Sequence, residues 1–120
     1  MTWEIKDCGN AIKVNVAGRL VSAVAQSFRD DVLGSMRPDG NVLFDLSGMT
    51  HVDSSGLGVL VQILQKAQSL GGKVVLAALQ PAPKIVFDIT KVSRVFEIVA
   101  KPEDAVFPGA GGGNGAGPAR

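Results

Sequence analysis

The chain has 120 residues, 46% of them hydrophobic, and a formal net charge of +1, which suits one domain with a single core. Basic residues are scattered and interleaved with acids, so we expect no nucleic-acid partner. The longest apolar run, residues 74–79, is too short to span a bilayer, no signal peptide opens the chain, and the single cysteine, Cys8, excludes an internal disulfide. These features predict a cytoplasmic protein with no membrane partner.

The first third of the sequence predicts a hairpin followed by a helix. Residues 3–6 and 12–16 alternate apolar and polar side chains, which is typical of strands with one buried face. We expect Trp3 to cover the edge of the core. A helix is predicted over residues 23–34, with Gly34 as its C-terminal stop.

The middle of the sequence predicts a buried strand, a short polar segment and a long helix. Residues 42–46 form a short apolar run of the kind that builds a buried strand. From about residue 55 to residue 70, apolar side chains recur at helical spacing. The residues on this apolar face are Leu57, Leu60, Val61, Leu64 and Ala67. Because Val59 and Ile63 lie off that face, either the helix is deeply buried, which we expect, or part of it contacts another protein.

The second half of the sequence predicts three more elements before its end. Residues 73–77 form a continuous apolar strand, and a short helix begins at Pro81 and Pro83, positions where a first helical turn tolerates proline. Residues 95–99 are a last strand candidate. A terminal helix is predicted from Pro102, because two acids follow it in what would be the first turn.

Strands that alternate with helices after an initial hairpin predict an α/β fold. We expect a single domain over residues 1–107, with a mixed sheet of four to five strands covered by about four helices. Residues 108–120 are rich in glycine and carry nothing to bury. We predict that they form a disordered tail.

The segment Asp53-Ser54-Ser55-Gly56-Leu57-Gly58 concentrates polar groups and glycines at the start of the long helix. Asp53 and Ser54 are both suitable N-cap residues, and we expect Ser54 to hold a backbone N–H, which leaves Ser55 free. The two glycines remove side chains, so that another molecule can approach the backbone. Because a helix N-terminus favours negative charge, Ser55 is suited to accept a phosphoryl group.

This hexapeptide, with a strand before it and a helix after it, resembles the signature of the STAS domain in the form carried by bacterial anti-sigma factor antagonists. Residues 18–20, Gly-Arg-Leu, are similar to the Gly-x-Leu that precedes the first helix of that family. Residues 71–76 resemble its Gly-Gly turn into the next strand, and residues 81–87 resemble the helix start that follows. The similarity covers roughly residues 3 to 106.

The resemblance implies a STAS-like domain that is switched by phosphorylation of the second serine, Ser55. Its partners would be an anti-sigma factor with serine kinase activity and a phosphatase that acts on phospho-Ser55. Without phosphate, the domain would bind the anti-sigma factor and free the sigma factor. The implied partner-binding residues are Asp53, Ser54, Ser55, Gly56, Leu57, Gly58, Leu20 and Val21. No catalytic residue, metal or cofactor is implied, and Val21 stands where the family usually has an acid.

Other functions fit the sequence less well. A serine hydrolase using Ser54 or Ser55 with His51 and Asp53 is disfavoured, because a nucleophile elbow needs a glycine two residues before Ser55, where Asp53 stands. In addition, His51 is expected on an approach loop, the loop that leads to the long helix. A scaffold role in a stress-signalling complex stays open, as does nucleotide binding. For nucleotide binding, Gly56-Leu57-Gly58 alone is weak evidence.

Overall fold

Five strands form one sheet in the order β1-β2-β3-β4-β5, and three α-helices connect them in a computed structural model that describes residues 1–107. The strands are β1 (Thr2–Asp7), β2 (Ile12–Leu20), β3 (Val42–Val52), β4 (Val74–Ala77) and β5 (Glu97–Val99), and the helices are α1 (Ser22–Ser35), α2 (Ser54–Ser69) and α3 (Pro81–Ile89). Strands β1 and β2 pair antiparallel, and all later pairs are parallel. None of the helices in residues 1–107 is long and apolar enough to cross a membrane.

The main core lies between one face of the sheet and the three helices. Inward-facing residues of the strands, such as Val14 and Phe44, pack there against Phe28 of α1 and Phe87 of α3. Trp3 is half-buried and meets Phe28 edge to face, with ring centroids 5.3 Å apart. It therefore covers the edge of this core, as predicted.

Helix α2 is buried on two sides, which explains its wide apolar surface. Val59 and Ile63, which lie off its main apolar face, are both buried in the core. The expectation of deep burial is thus confirmed. Val61, which the periodicity placed on the buried face, is only half-buried.

Several elements differ in length from the sequence-based expectation. Strand β2 runs to Leu20 and not to residue 16, and strand β5 begins at Glu97 and not at residue 95. Strand β3 does not end at residue 46 but continues to Val52, with irregular pairing to β2 around Ser47 and Gly48. These two residues break the apolar run, so the extension is invisible to a hydrophobicity pattern. Helix α1 runs through Gly34 to Ser35, so Gly34 is not its C-terminal stop.

The opposite face of the sheet is crossed by the segment that follows β5. The helix predicted from Pro102 is only a three-residue 3₁₀ turn, Pro102–Asp104, so the domain has three α-helices and not about four. Ala105 and Phe107 both pack against this face of the sheet, and their spacing of two residues requires an extended chain. The predicted tail, residues 108–120, lies outside the described residues.

Candidate functional site

A single residue, Asp53, connects strand β3 to helix α2. Its backbone is extended (φ −112°, ψ −176°), as an N-cap requires, and its Oδ1 accepts a hydrogen bond from the backbone N–H of Gly56 at 2.9 Å. The expectation that Ser54 provides the cap is wrong, because Ser54 is already the first helical residue of α2. Its hydroxyl is therefore as free as that of Ser55.

The second oxygen of Asp53 reaches another helix. Oδ2 accepts a hydrogen bond from the backbone N–H of Ser22, the first residue of α1, at 3.0 Å. Val21 occupies the N-cap position of α1 and offers no side-chain acceptor. Sequence reasoning missed this role of Ser22, because a helix predicted from residue 23 would have had Ser22 as its own N-cap.

Gly56 allows the start of α2 to lie directly against the end of β2. Gly56 is buried, and a Cβ atom added to it would lie 2.9 Å from Cγ of Leu20 and closer still to the carbonyl oxygen of Leu20. Val52 closes the space from a third side, at 3.0 Å. Any side chain at Gly56 would therefore push α2 away from the sheet.

The outer side of the same helical turns is bare. Ser54 and Ser55 are exposed, and neither hydroxyl makes a hydrogen bond to another group within residues 1–107. Gly58 is partly exposed, and an added Cβ atom would meet nothing within 4 Å. The protein itself therefore gives no steric reason for a glycine at this position.

The eight predicted partner-binding residues fall into two groups. Leu20 and Leu57 are 0% and 4% exposed, and Gly56 is buried with them. Their side chains belong to the core and support the site from beneath, so Leu20 and Leu57 cannot offer side chains to a partner. The residues that reach the surface are Val21, Asp53, Ser54, Ser55 and Gly58.

His51 lies in strand β3, not on an approach loop as expected from the sequence. Its ring Nδ1 is 2.9 Å from the hydroxyl of Thr50. The side-chain hydrogen bonds of Asp53 within residues 1–107 go to the backbone N–H groups of Ser22 and Gly56 and not to this imidazole. The arrangement of these residues is not that of a Ser-His-Asp triad.

Comparisons with known proteins agree on one family. The sequence profile of the STAS domain matches residues 2–105. The chain is 29% identical over 103 residues to the anti-sigma-B factor antagonist of Bacillus subtilis (strain 168), covering 86% of this chain and 94% of that protein.

Two solved structures extend the comparison to the fold. The anti-sigma factor antagonist from Mycobacterium paratuberculosis superposes with a TM-score of 0.76 at 19% identity, covering 86% of this chain and 88% of that one. The Bacillus cell fate determinant SpoIIAA in its phosphorylated form gives a TM-score of 0.63 at 14% identity, covering 85% and 95%. Taken with the matched residues, these findings show that the chain belongs to the STAS domain family.

Proposed function

We propose that this protein is an anti-sigma factor antagonist that is switched by phosphorylation of Ser55. Unphosphorylated, it binds an anti-sigma factor with serine kinase activity and so releases a sigma factor in the cytoplasm. Phosphorylated by that partner, it dissociates, and a phosphatase restores it. The observation that carries the proposal is an exposed Ser55 with a free hydroxyl, on a helix start that is kept bare by Gly58.

Similarity to named proteins supports the class of function. The Bacillus subtilis relative is an anti-sigma-B factor antagonist, and a protein with the same fold, SpoIIAA, exists in a phosphorylated form. The Asp53–Gly58 segment of this chain has the residue types expected for such a switch: a cap, two hydroxyls and two glycines.

The local backbone supports phosphate at Ser55 without loss of the fold. Asp53 engages the N–H groups of Gly56 and Leu57 through its carboxylate and its carbonyl. The N–H groups of Ser54 and Ser55 then remain free of protein acceptors in the part of the chain that the structure describes. A helix N-terminus stabilises an anion by about 0.3–1 kcal/mol, so the added charge does not have to unfold α2.

The same charge is costly at an interface. A phosphoserine carries about −1.5 to −2 charges at neutral pH. A partner surface that covers Ser55 without a matching arginine would have to desolvate this charge, which costs several kcal/mol. Because about 1.4 kcal/mol corresponds to a tenfold change in affinity, phosphorylation acts on binding far more than on folding.

The test compares two adjacent serines that are equally exposed. A pull-down from host lysate with wild-type and Ser55→Asp baits identifies partners that bind only the wild type. Affinities for the purified partner are then measured by calorimetry for wild type, Ser55→Ala, Ser55→Asp and the control Ser54→Ala. Peptide mapping after incubation with the partner and ATP locates the phosphate.

We expect Ser55→Ala to bind the partner with wild-type affinity and not to be phosphorylated by it. Ser55→Asp should fold normally and bind weakly, although one carboxylate imitates phosphate only in part. Phosphate on Ser54, or equal affinities across the Ser55 variants, would contradict the assignment. Specific binding with neither serine modified would instead favour a scaffold function.

A further inference from the structure

Asp53 joins two helix starts that come from distant parts of the sequence. Its Oδ1 holds the N–H of Gly56 in α2 at 2.9 Å, and its Oδ2 holds the N–H of Ser22 in α1 at 3.0 Å. Its own backbone N–H donates to the carbonyl of Leu20 at 3.2 Å. One residue thus connects the end of β2, the start of α1 and the start of α2.

Helix α1 depends on this bond because it lacks a cap of its own. The carbonyl of Val21 accepts hydrogen bonds from Val24 and Ala25, but the side chain of Val21 accepts none. The N–H of Ser22 therefore has Asp53 as its acceptor. Within residues 1–107, the next side-chain hydrogen bond between the two helices lies about two turns away, from Arg29 Nη1 to Gln62 Oε1 at 3.2 Å.

The consequence is a composite surface. Leu20 pairs with Val52 where β2 and β3 end side by side, so both helices leave the same edge of the sheet. Their first turns present Val21 and Ser22 from α1, and Ser54, Ser55 and Gly58 from α2, at the surface. The distance between these two segments is fixed at the surface by the Asp53 carboxylate.

We propose that Asp53 is a positioning residue that holds these two helix starts together, so that the protein partner binds Val21, Ser22, Ser54, Ser55 and Gly58 as one surface. This inference rests on the proposed function. According to this inference, Asp53 caps α2 and also contributes to partner binding, because it fixes the position of Ser22.

The first test needs no partner. In Asp53→Ser, the hydroxyl keeps a good N-cap for α2, but a single oxygen on a shorter side chain does not also reach Ser22. Amide hydrogen exchange by NMR should show faster exchange at Ser22 and retained protection at Gly56. Asp53→Asn is the second variant, because an amide offers only one acceptor oxygen. Asp7→Asn, which alters a remote aspartate that holds the N–H of Gly9, should leave the Ser22 amide unchanged.

The second test separates positioning from simple helix capping. Adding Val21→Ser to Asp53→Ser gives α1 a cap of its own without rejoining it to α2. We expect Asp53→Ser to weaken binding of the Ser55-dependent partner about tenfold, which is about 1.4 kcal/mol. The double variant should recover melting temperature, but its affinity should stay about tenfold below that of Val21→Ser alone, the reference for the change of side chain at residue 21. The ratio of the wild-type affinity to the Asp53→Ser affinity should persist at about 1 M salt. The Debye length is then about 3 Å, so interactions between exposed charges are screened.

Several results would overturn the proposal. They are unchanged exchange at Ser22 in both Asp53 variants, wild-type affinity in Asp53→Ser, recovery of affinity in the double variant, or a ratio that vanishes in salt. Failure of the proposed function is a separate outcome. In that case, no partner of the wild-type protein would depend on Ser55 for binding. The hydrogen-exchange experiment would still test the bond between Asp53 and Ser22.

Discussion

The inner and outer sides of the first turns of α2 carry two glycines with opposite roles. Gly56 is buried against Leu20 and Val52, where no further atom fits. Gly58, two residues later, faces open space, and a glycine inside a helix costs roughly 0.5–1 kcal/mol relative to alanine. Gly56 therefore serves the fold of this chain, whereas Gly58 has no such steric reason within residues 1–107 and fits the proposal that a partner approaches the helix start here.

Gly56→Ala should have the largest effect on stability. Its new Cβ atom would meet the carbonyl oxygen and Cγ of Leu20, and the backbone oxygen cannot turn aside as a flexible side chain can. Overpacking of this kind costs roughly 1–3 kcal/mol, and we expect a loss near the upper end of this range in urea denaturation. An unchanged unfolding midpoint would show that α2 can shift from the sheet at little cost.

Gly58→Ala should raise the stability of the domain and lower its affinity for the partner. Replacing a helix glycine with alanine should stabilise the domain by roughly 0.5–1 kcal/mol, yet weaken partner binding about tenfold, because the methyl group occupies the bare face. Gly34→Ala is the matched control, since Gly34 is also helical and also faces open space. It should stabilise the domain and leave affinity unchanged. If both variants bind equally well, the face around Gly58 is not an interface.

Val21→Asp should change partner affinity more than stability. Val21 is half-buried at the N-cap of α1, with the extended backbone that an N-cap needs (φ −128°, ψ 172°), so aspartate gains a capping position there. Repulsion from the Asp53 carboxylate opposes this gain, and we expect a net change within roughly 1 kcal/mol by chemical denaturation. Calorimetry with the partner measures the affinity. Unfolding of this variant would place Val21 in the core and remove it from the interface.

The smallest effect should come from acid titration at the far end of β1. The N–H of Gly9 and the Arg37 guanidinium, 2.7 Å away, hold the pKa of Asp7 below its usual range. A pKa that is lowered on folding stabilises the protein above the unfolded value of about 3.9 and loses that contribution as pH falls through the folded value.

Arg37→Gln removes one of these two causes. We expect its melting temperature to fall slightly below that of the wild type at neutral pH, and the difference to shrink as pH falls through the folded pKa of Asp7 and this carboxylate becomes protonated. A difference that stays the same across this range would mean that the Asp7–Arg37 pair does not stabilise the fold.

Local chemistry in the sequence determined much of the fold and the position of the candidate site. Period-two alternation identified the hairpin, and the two prolines at residues 81 and 83 identified the first turn of α3. The cap and glycines of residues 53–58 identified the start of α2 and the exposed Ser55. These features depend on residues within one or two turns of each other, so a pattern in the sequence contains them.

The remaining features depended on contacts between residues that are far apart in the sequence, and these contacts form only in the folded chain. Strand β3 continues past Ser47 and Gly48 because β2 pairs with it there, and the segment after Pro102 is held to the sheet where Phe107 packs near Ala11 and Val75. Asp53 could be named as an N-cap from the sequence. Its bond to Ser22, 31 residues away, exists because β2 and β3 end side by side, and no local pattern encodes that neighbourhood.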